Sequence, residues 1–296
     1  MMNKVMLLVP CLMLDTNRKR NKNCIDAARR LEFDKVVVCA QQFQESDKTD
    51  GVEYIGNHAE GIGFVQARNE LLKFFYESDF DYAMWLDANA QFSRPCLNDL
   101  HTLLSALKAG EVPVDVIFAT LGLQISGERI NAKRMGDHSE VIRLVQLKGG
   151  YDWMHGMVIK NFRKYYGIEP YIDSECSPYK GTSEDIFFAR MCKYLFDCRL
   201  LPTLVITKPL NKFSTWVADQ KGYKYPPVNY KVIDRMVLRH CQKFGFRPTS
   251  KTRGTVVLPR IEEDMEYIRG YVSRSSKKGI SEGLLKNESV DVQKEN

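Results

Sequence analysis

The sequence predicts an α/β protein built around a mainly parallel sheet, and three observations predict it. Apolar runs of strand length alternate with helix-patterned segments, at intervals of about 25–30 residues. The apolar runs read as strands buried in a sheet rather than as surface strands. Polar or acidic residues follow several of them directly, as in Asp87-Ala88-Asn89. In open parallel sheets ligands bind beyond the carboxyl ends of the strands.

Each element has its own reason. "KVMLLVPCLM" is a buried first strand. It has the length of a signal-peptide core, but no small-residue cleavage site follows, and Asp15 to Lys22 is strongly charged. "NKNCIDAARRLEF" has helical spacing at Cys24, Ile25, Ala28 and Leu31. "KVVVCA" is a second buried strand and "VEYIG" a short third. "GFVQARNELLKFFYES" is helical, "YAMWLD" is the next strand, and "LNDLHTLLSALKAG" is a helix ending at Gly110. "VDVIFATLG" is a strand, after which the regular alternation breaks. "GGYDWMHGMVIK" reads as a loop plus strand, "SEDIFFARMCKYLF" as a helix capped by Ser183, and "RLLPTLVITKP" as an extended run. From 211 to 253 the text reads as basic, aromatic and loop-rich, and the last fifteen or so residues as a frayed tail.

Composition narrows the class. With 44% hydrophobic and 27% charged residues among 296, the chain can build a full core as an ordinary globular protein. No run approaches the ~18 apolar residues of a membrane span. The eight cysteines form no Cys-x-x-Cys pair and no Cys/His cluster with zinc spacing, so they read as reduced core residues of a cytoplasmic protein. The charge is uneven: residues 201–256 carry 11 basic and only 2 acidic side chains, against a net +6 for the whole chain. That asymmetry points to a polyanionic partner.

The sheet's carboxyl ends gather the candidate site. Pro10-Cys11, Ala40-Gln41 and Asp87-Ala88-Asn89 fall at three strand ends and are expected to line one crevice. A carboxylate at the tip of a buried strand, with an oxygen ligand two residues on, can hold a hard divalent cation against a diphosphate. Asp and Asn also favour plain strand-end turns, so residues alone leave both readings open. Arg68 can pair with phosphates or a sugar, or buttress the loop after the fourth strand. Trp153 can stack on a sugar or base. His155 can face a ligand or be structural. His58, His101, His138 and His240 show no partner pattern.

The order of these motifs resembles a nucleotide-sugar glycosyltransferase of the GT-A fold, nearest the family 2 pattern. The features are Val9-Pro10 ending the first strand, Gly63 before Ala67-Arg68-Asn69, Asp87-Ala88-Asn89 at the Asp-x-Asp position, Gly156 to Lys160, and Glu184-Asp185 at a helix start. The resemblance covers about residues 4–210. It implies a GT-A catalytic domain over 1–210, with a donor half of about 1–125 and an acceptor half of about 126–210. A basic extension over 211–280 and a tail over 281–296 would follow. It implies that Asp87, helped by Asn89, holds manganese or magnesium and the diphosphate of a UDP-sugar. It makes Asp185, beside Glu184, the base on the acceptor hydroxyl. Two departures weaken the metal site: Asn89 replaces an Asp, and Lys208 stands where a late His often completes the set.

The basic segment suggests the acceptor. Lys212, Lys221 and Lys224 are interleaved with aromatics such as Trp216, a pairing suited to phosphates and stacked bases, with Trp153 and His155 as further acceptor-side candidates, whereas Lys208 would add a positive charge near the leaving phosphates. That pairing favours DNA, with glucose or a pentose such as arabinose transferred to a hydroxymethylated or already glycosylated pyrimidine, as in bacteriophages. A phage enzyme of this kind would work in the host cytoplasm. The alternatives are a surface-polysaccharide or protein glycosyltransferase, a nucleotidyltransferase, and a non-catalytic nucleic-acid binder.

Overall fold

The computed structural model describes residues 2–15, 17–59, 62–92, 94–125, 128–129, 144–146, 154–173, 184–209 and 230–245. In chain order the elements begin with β1 (Val5–Leu12), α1 (Arg18–Arg29), β2 (Lys35–Gln41), β3 (Glu53–His58) and α2 (Phe64–Glu77). β4 (Tyr82–Trp85), β5 (Gln91–Phe92), α3 (Arg94–Ala109) and β6 (Val116–Ile125) follow. Next come the short β7 (Glu128–Arg129), β8 (Val145–Gln146), β9 (Val158–Lys160) and α4 (Phe162–Tyr166). The last are α5 (Glu184–Leu195), β10 (Cys198–Pro209) and α6 (Tyr230–Gln242).

Among the described residues all strands join one sheet in the order β3-β2-β1-β4-β9-β6-β10-β5, with β7 on β6 and β8 on β10. β3, β2, β1 and β4 pair in parallel, as do β6 and β10, while β9 runs antiparallel to both β4 and β6. Six of the seven strands from β3 to β10 therefore point the same way, which is the mostly parallel α/β sheet expected.

Helices cover both faces because every β1 residue but the last is buried. Val5, Leu7, Val9 and Cys11 pack with Ile25 of α1 and Leu100, Leu103 and Leu104 of α3. Met6 and Leu8 pack in the opposite core with Leu71 and Phe75 of α2 and Phe187 of α5. This is the period-two alternation of a strand sealed on two sides. Each such aliphatic side chain contributes about 1.5–3 kcal/mol on burial.

Three elements depart from the sequence reading. α1 starts three residues early, at Arg18, because Arg18 and Asn21 donate backbone bonds to Leu14 and Asn17 and Arg18 also anchors Met13 O at 2.9 Å. α3 likewise starts at Arg94, with Pro95 in its first turn, where a missing N–H is harmless. The 211–253 stretch is not loop throughout. Residues 230–242 form α6, which buries Ile233, Met236, Val237 and Cys241 on one face against α5. The spacing of those residues is a helical stripe that the basic character of the segment masked. α3 does stop at Gly110, whose φ is +75°.

Candidate active site

The candidate residues gather where parallel strands end together. β1 lies between β2 and β4, so the carboxyl ends of all three reach one rim. After β4, Leu86 N–H donates to Leu8 O at 3.0 Å, which extends the ladder toward Asp87. Ala90 N–H then donates to Asp87 O at 2.9 Å, closing a turn over Ala88 and Asn89. Asp87 is thus fixed in backbone and 8% exposed.

The segment before β9 brings His155 to it. Met84 pairs with Val158 in an antiparallel register. Gly156 N–H donates to Trp85 O at 2.7 Å, and Trp85 N–H donates to Met157 O at 2.9 Å. Continued by this register, residue 87 faces residue 155. His155 Nδ1 indeed lies 3.1 Å from Asp87 Oδ1, an electrostatic contact rather than a well-directed hydrogen bond. Gly156 permits the close approach. It has φ +71°, and a Cβ there would lie 2.0 Å from Ile206 Cδ1 and 2.8 Å from Ala119 Cβ.

α2 supplies the third member. Its entry turns on Gly63, at φ +83°. Gln41, at the end of β2 and 2% exposed, accepts from Ile62 N–H and Gly63 N–H at 2.8 and 3.2 Å. One turn in, Arg68 is 3% exposed, donates to Asp87 Oδ1 at 3.2 Å and lies 5.9 Å from the Trp85 ring centroid. Asn69 exchanges two hydrogen bonds with the backbone of Ile172, at 2.8 and 2.9 Å, and so pins α2 to the segment after α4. Fixed cation, imidazole and carboxylate therefore meet at the sheet's rim. Such an array suits an anionic ligand that displaces or extends the ion pairing.

The other expected residues are placed as follows. Pro10 and Cys11 lie inside β1. Cys11 is a core thiol that burial pushes up to about 12, which leaves it inert as a nucleophile. Asn89 follows Asp87 by two residues, and its Oδ1 is buried without a hydrogen-bond partner among the described residues. Asp185 stands in the first turn of α5, half-buried, its Oδ1 accepting from Ile186 N–H at 2.8 Å. Among the described residues no hydrogen bond or ion pair joins Asp185 to the Asp87 cluster. Glu184 opens α5, and its side chain lies outside the described residues, as does that of Lys208. The backbone of Lys208 is in β10, where Thr207 pairs with Gln91 just after the Asp87 turn. Trp153, Lys212, Trp216, Lys221, Lys224 and Ser183 lie outside the described residues. Trp85 beneath Arg68 was not anticipated. Its apolar strand position reads as core, and only the structure reveals the cation above it.

The residues fit a divalent metal in a limited way. Asp87 offers a carboxylate, and the orphaned Asn89 Oδ1 is the neutral oxygen a hard cation takes. Magnesium and manganese are often held by one or two protein oxygens, with substrate phosphates completing the shell. Arg68 and His155 compete for the same carboxylate, which weakens the hold. Among the described residues no helix is long and apolar enough to cross a membrane.

The sequence matches no protein-family model and no curated protein. The structure does resemble solved ones. S. aureus TarS residues 1–349, in complex with UDP-GlcNAc, aligns with a TM-score of 0.50 at 13% identity, covering 93% of this chain and 92% of that one. The mannosyltransferase PcManGT from Pyrobaculum calidifontis, in complex with GDP-Man and Mn2+, aligns at 0.48 and 11% identity over 99% and 82% of the two chains. The likeness to TarS runs over nearly the full length of both chains, and with it the protein has the GT-A fold.

Proposed function

We propose that the chain is a nucleotide-sugar-dependent glycosyltransferase. The observation that carries this reading is the Asp87–Arg68–His155 cluster at the sheet's rim, in a GT-A fold. TarS 1–349 was solved with UDP-GlcNAc, which makes a UDP-sugar the first donor class to try. Gln41 shapes the donor wall by fixing the entry to α2. Arg68 offers a guanidinium already held at the rim by Asp87, and the diphosphate extends that pairing. Asp87 and Asn89 would hold magnesium or manganese, which when bound neutralises the departing diphosphate. Lys208 shares that role, so the metal binds weakly and chelation lowers the rate without abolishing it.

Asp185 is assigned as the base. It takes the proton of the acceptor hydroxyl as that oxygen bonds to the anomeric carbon, and the carbon–diphosphate bond breaks to release the nucleoside diphosphate. The 11-to-2 excess of basic over acidic residues across 201–256 supports DNA as the acceptor. The hydroxyl then belongs to a hydroxymethylated or already glycosylated pyrimidine, and the sugar is glucose or a pentose such as arabinose.

The test is incubation with a panel of nucleotide sugars, UDP-sugars first, and hydroxymethylated DNA, plain DNA, or polysaccharide and protein acceptors, followed by mass spectrometry of the products. Transfer to the hydroxymethylated DNA alone is expected, and Asp87→Asn should slow it at least ~10²-fold. Release of UDP with transfer only to a polysaccharide or protein acceptor overturns the DNA assignment. No turnover of any nucleotide sugar overturns the whole reading.

A further inference from the structure

Next to Gln41, whose ladder partner is His58, three elements bring together a second cluster. Cys39 of β2, His58 of β3 and Glu70 of α2 present one ligand atom each, all within 4.8 Å of one another. Glu70 Oε2 lies 2.8 Å from His58 Nε2 and 3.5 Å from Cys39 Sγ. Gln66 reaches the other carboxylate oxygen at 3.4 Å.

The backbone is shaped to make this meeting. In the β2–β3 ladder Cys39 pairs with Ile55, yet Gln41 pairs with His58, so β3 carries one extra residue there. Bulges in parallel pairs are rare. Without the extra residue His58 would fall one place later and face the other side of the sheet. The bulge turns on Gly56, at φ +60°, where a Cβ would lie 2.5 Å from both Glu70 Oε2 and His58 Nε2. Only glycine leaves room for the two polar heads.

We propose that Cys39, His58 and Glu70 form a zinc(II) site that staples β2, β3 and α2 together behind Gln41. One sulfur, one imidazole nitrogen and one carboxylate oxygen are the ligand types zinc takes. Tetrahedral zinc holds its ligand atoms about 3.3–3.7 Å apart, so the present spacings need changes of about half an ångström for His58–Glu70 and at most about 1.5 Å for any pair. On binding, the Cys39 thiol releases its proton to solvent. Thiolate and carboxylate then balance the ion's two charges, so no net charge is buried. The fourth position falls to water on the side where His58 and Glu70 are 25% and 30% exposed. Sequence spacing conceals the site because its ligands come from three separate elements.

Cobalt(II) added to the reduced, metal-free protein tests this. A thiolate-to-cobalt charge-transfer band in the near ultraviolet is expected, bleached by one equivalent of zinc. Cys39→Ser should abolish the band, while Cys198→Ser should keep it. Glu70→Gln preserves shape and is expected to weaken zinc binding at least tenfold. No band in the unaltered protein overturns the proposal whether or not any variant folds. A band that survives in Cys39→Ser, or an unchanged affinity in Glu70→Gln, also overturns it.

Discussion

At the scale of single residues, Gly156 has the sharpest consequence. It sits beside His155, in a left-handed conformation, with Ile206 and Ala119 where a side chain would go. Gly156→Ala must both strain the backbone and displace Ile206. A loss of about 2–4 kcal/mol is expected, read as a lower urea midpoint with an unchanged slope. The 3.1 Å contact between His155 Nδ1 and Asp87 should be disturbed with it, because His155 is carried on the adjacent peptide. An unaltered midpoint would mean that Ile206 and the backbone relax freely around the new methyl group. Strand-end position and motif order single out Asp87 and Arg68 as candidates, and the structure brings the two into contact. Their partnership with His155 was not legible, because it depends on β9 running antiparallel to β4, a choice no local pattern encodes.

At the scale of elements, Asp81 ties three of them at the far end of the sheet. Its carboxylate accepts from Lys4 N–H of the β1 entry at 2.8 Å, and from Lys164 Nζ and Tyr165 OH of α4 at 2.7 and 2.6 Å. Burial works to raise its pKa, but the Lys164 and Tyr165 bonds outweigh it and the net direction is down. A lowered folded-state value contributes stability above the ordinary carboxylate range, and that stability is lost as pH falls through the lowered value. Asp81→Asn should therefore cost about 1–3 kcal/mol at neutral pH and flatten the acid limb of a stability-versus-pH curve. An acid limb of unchanged steepness would contradict this. The elements themselves were largely readable, because β1 is apolar throughout and β2 is apolar between its two end residues. α6 escaped because its lysines and arginines dominated the text, although Ile233, Met236, Val237 and Cys241 carry a helical stripe.

At the scale of the whole molecule, the sheet order and the charge distribution carry the account. The parallel run β3-β2-β1-β4 brings Gln41 and Asp87 to one rim, and α2 delivers Arg68 to the same place. The basic excess of 201–256 is a separate property, and it makes a separate prediction. DNA affinity should fall linearly with salt on logarithmic axes. Replacing Lys212, Lys221 and Lys224 with Gln should reduce the slope by up to about 0.9 for each phosphate no longer neutralised. A slope untouched by all three would place the polyanion elsewhere or nowhere. The central claim is tested most directly by calorimetric titration of UDP-sugars into the unaltered protein and into Asp87→Asn. One nucleotide sugar bound per chain and at least tenfold weaker binding in the variant, about 1.4 kcal/mol, are expected. Equal binding by both proteins, or none by the unaltered one, would contradict that claim.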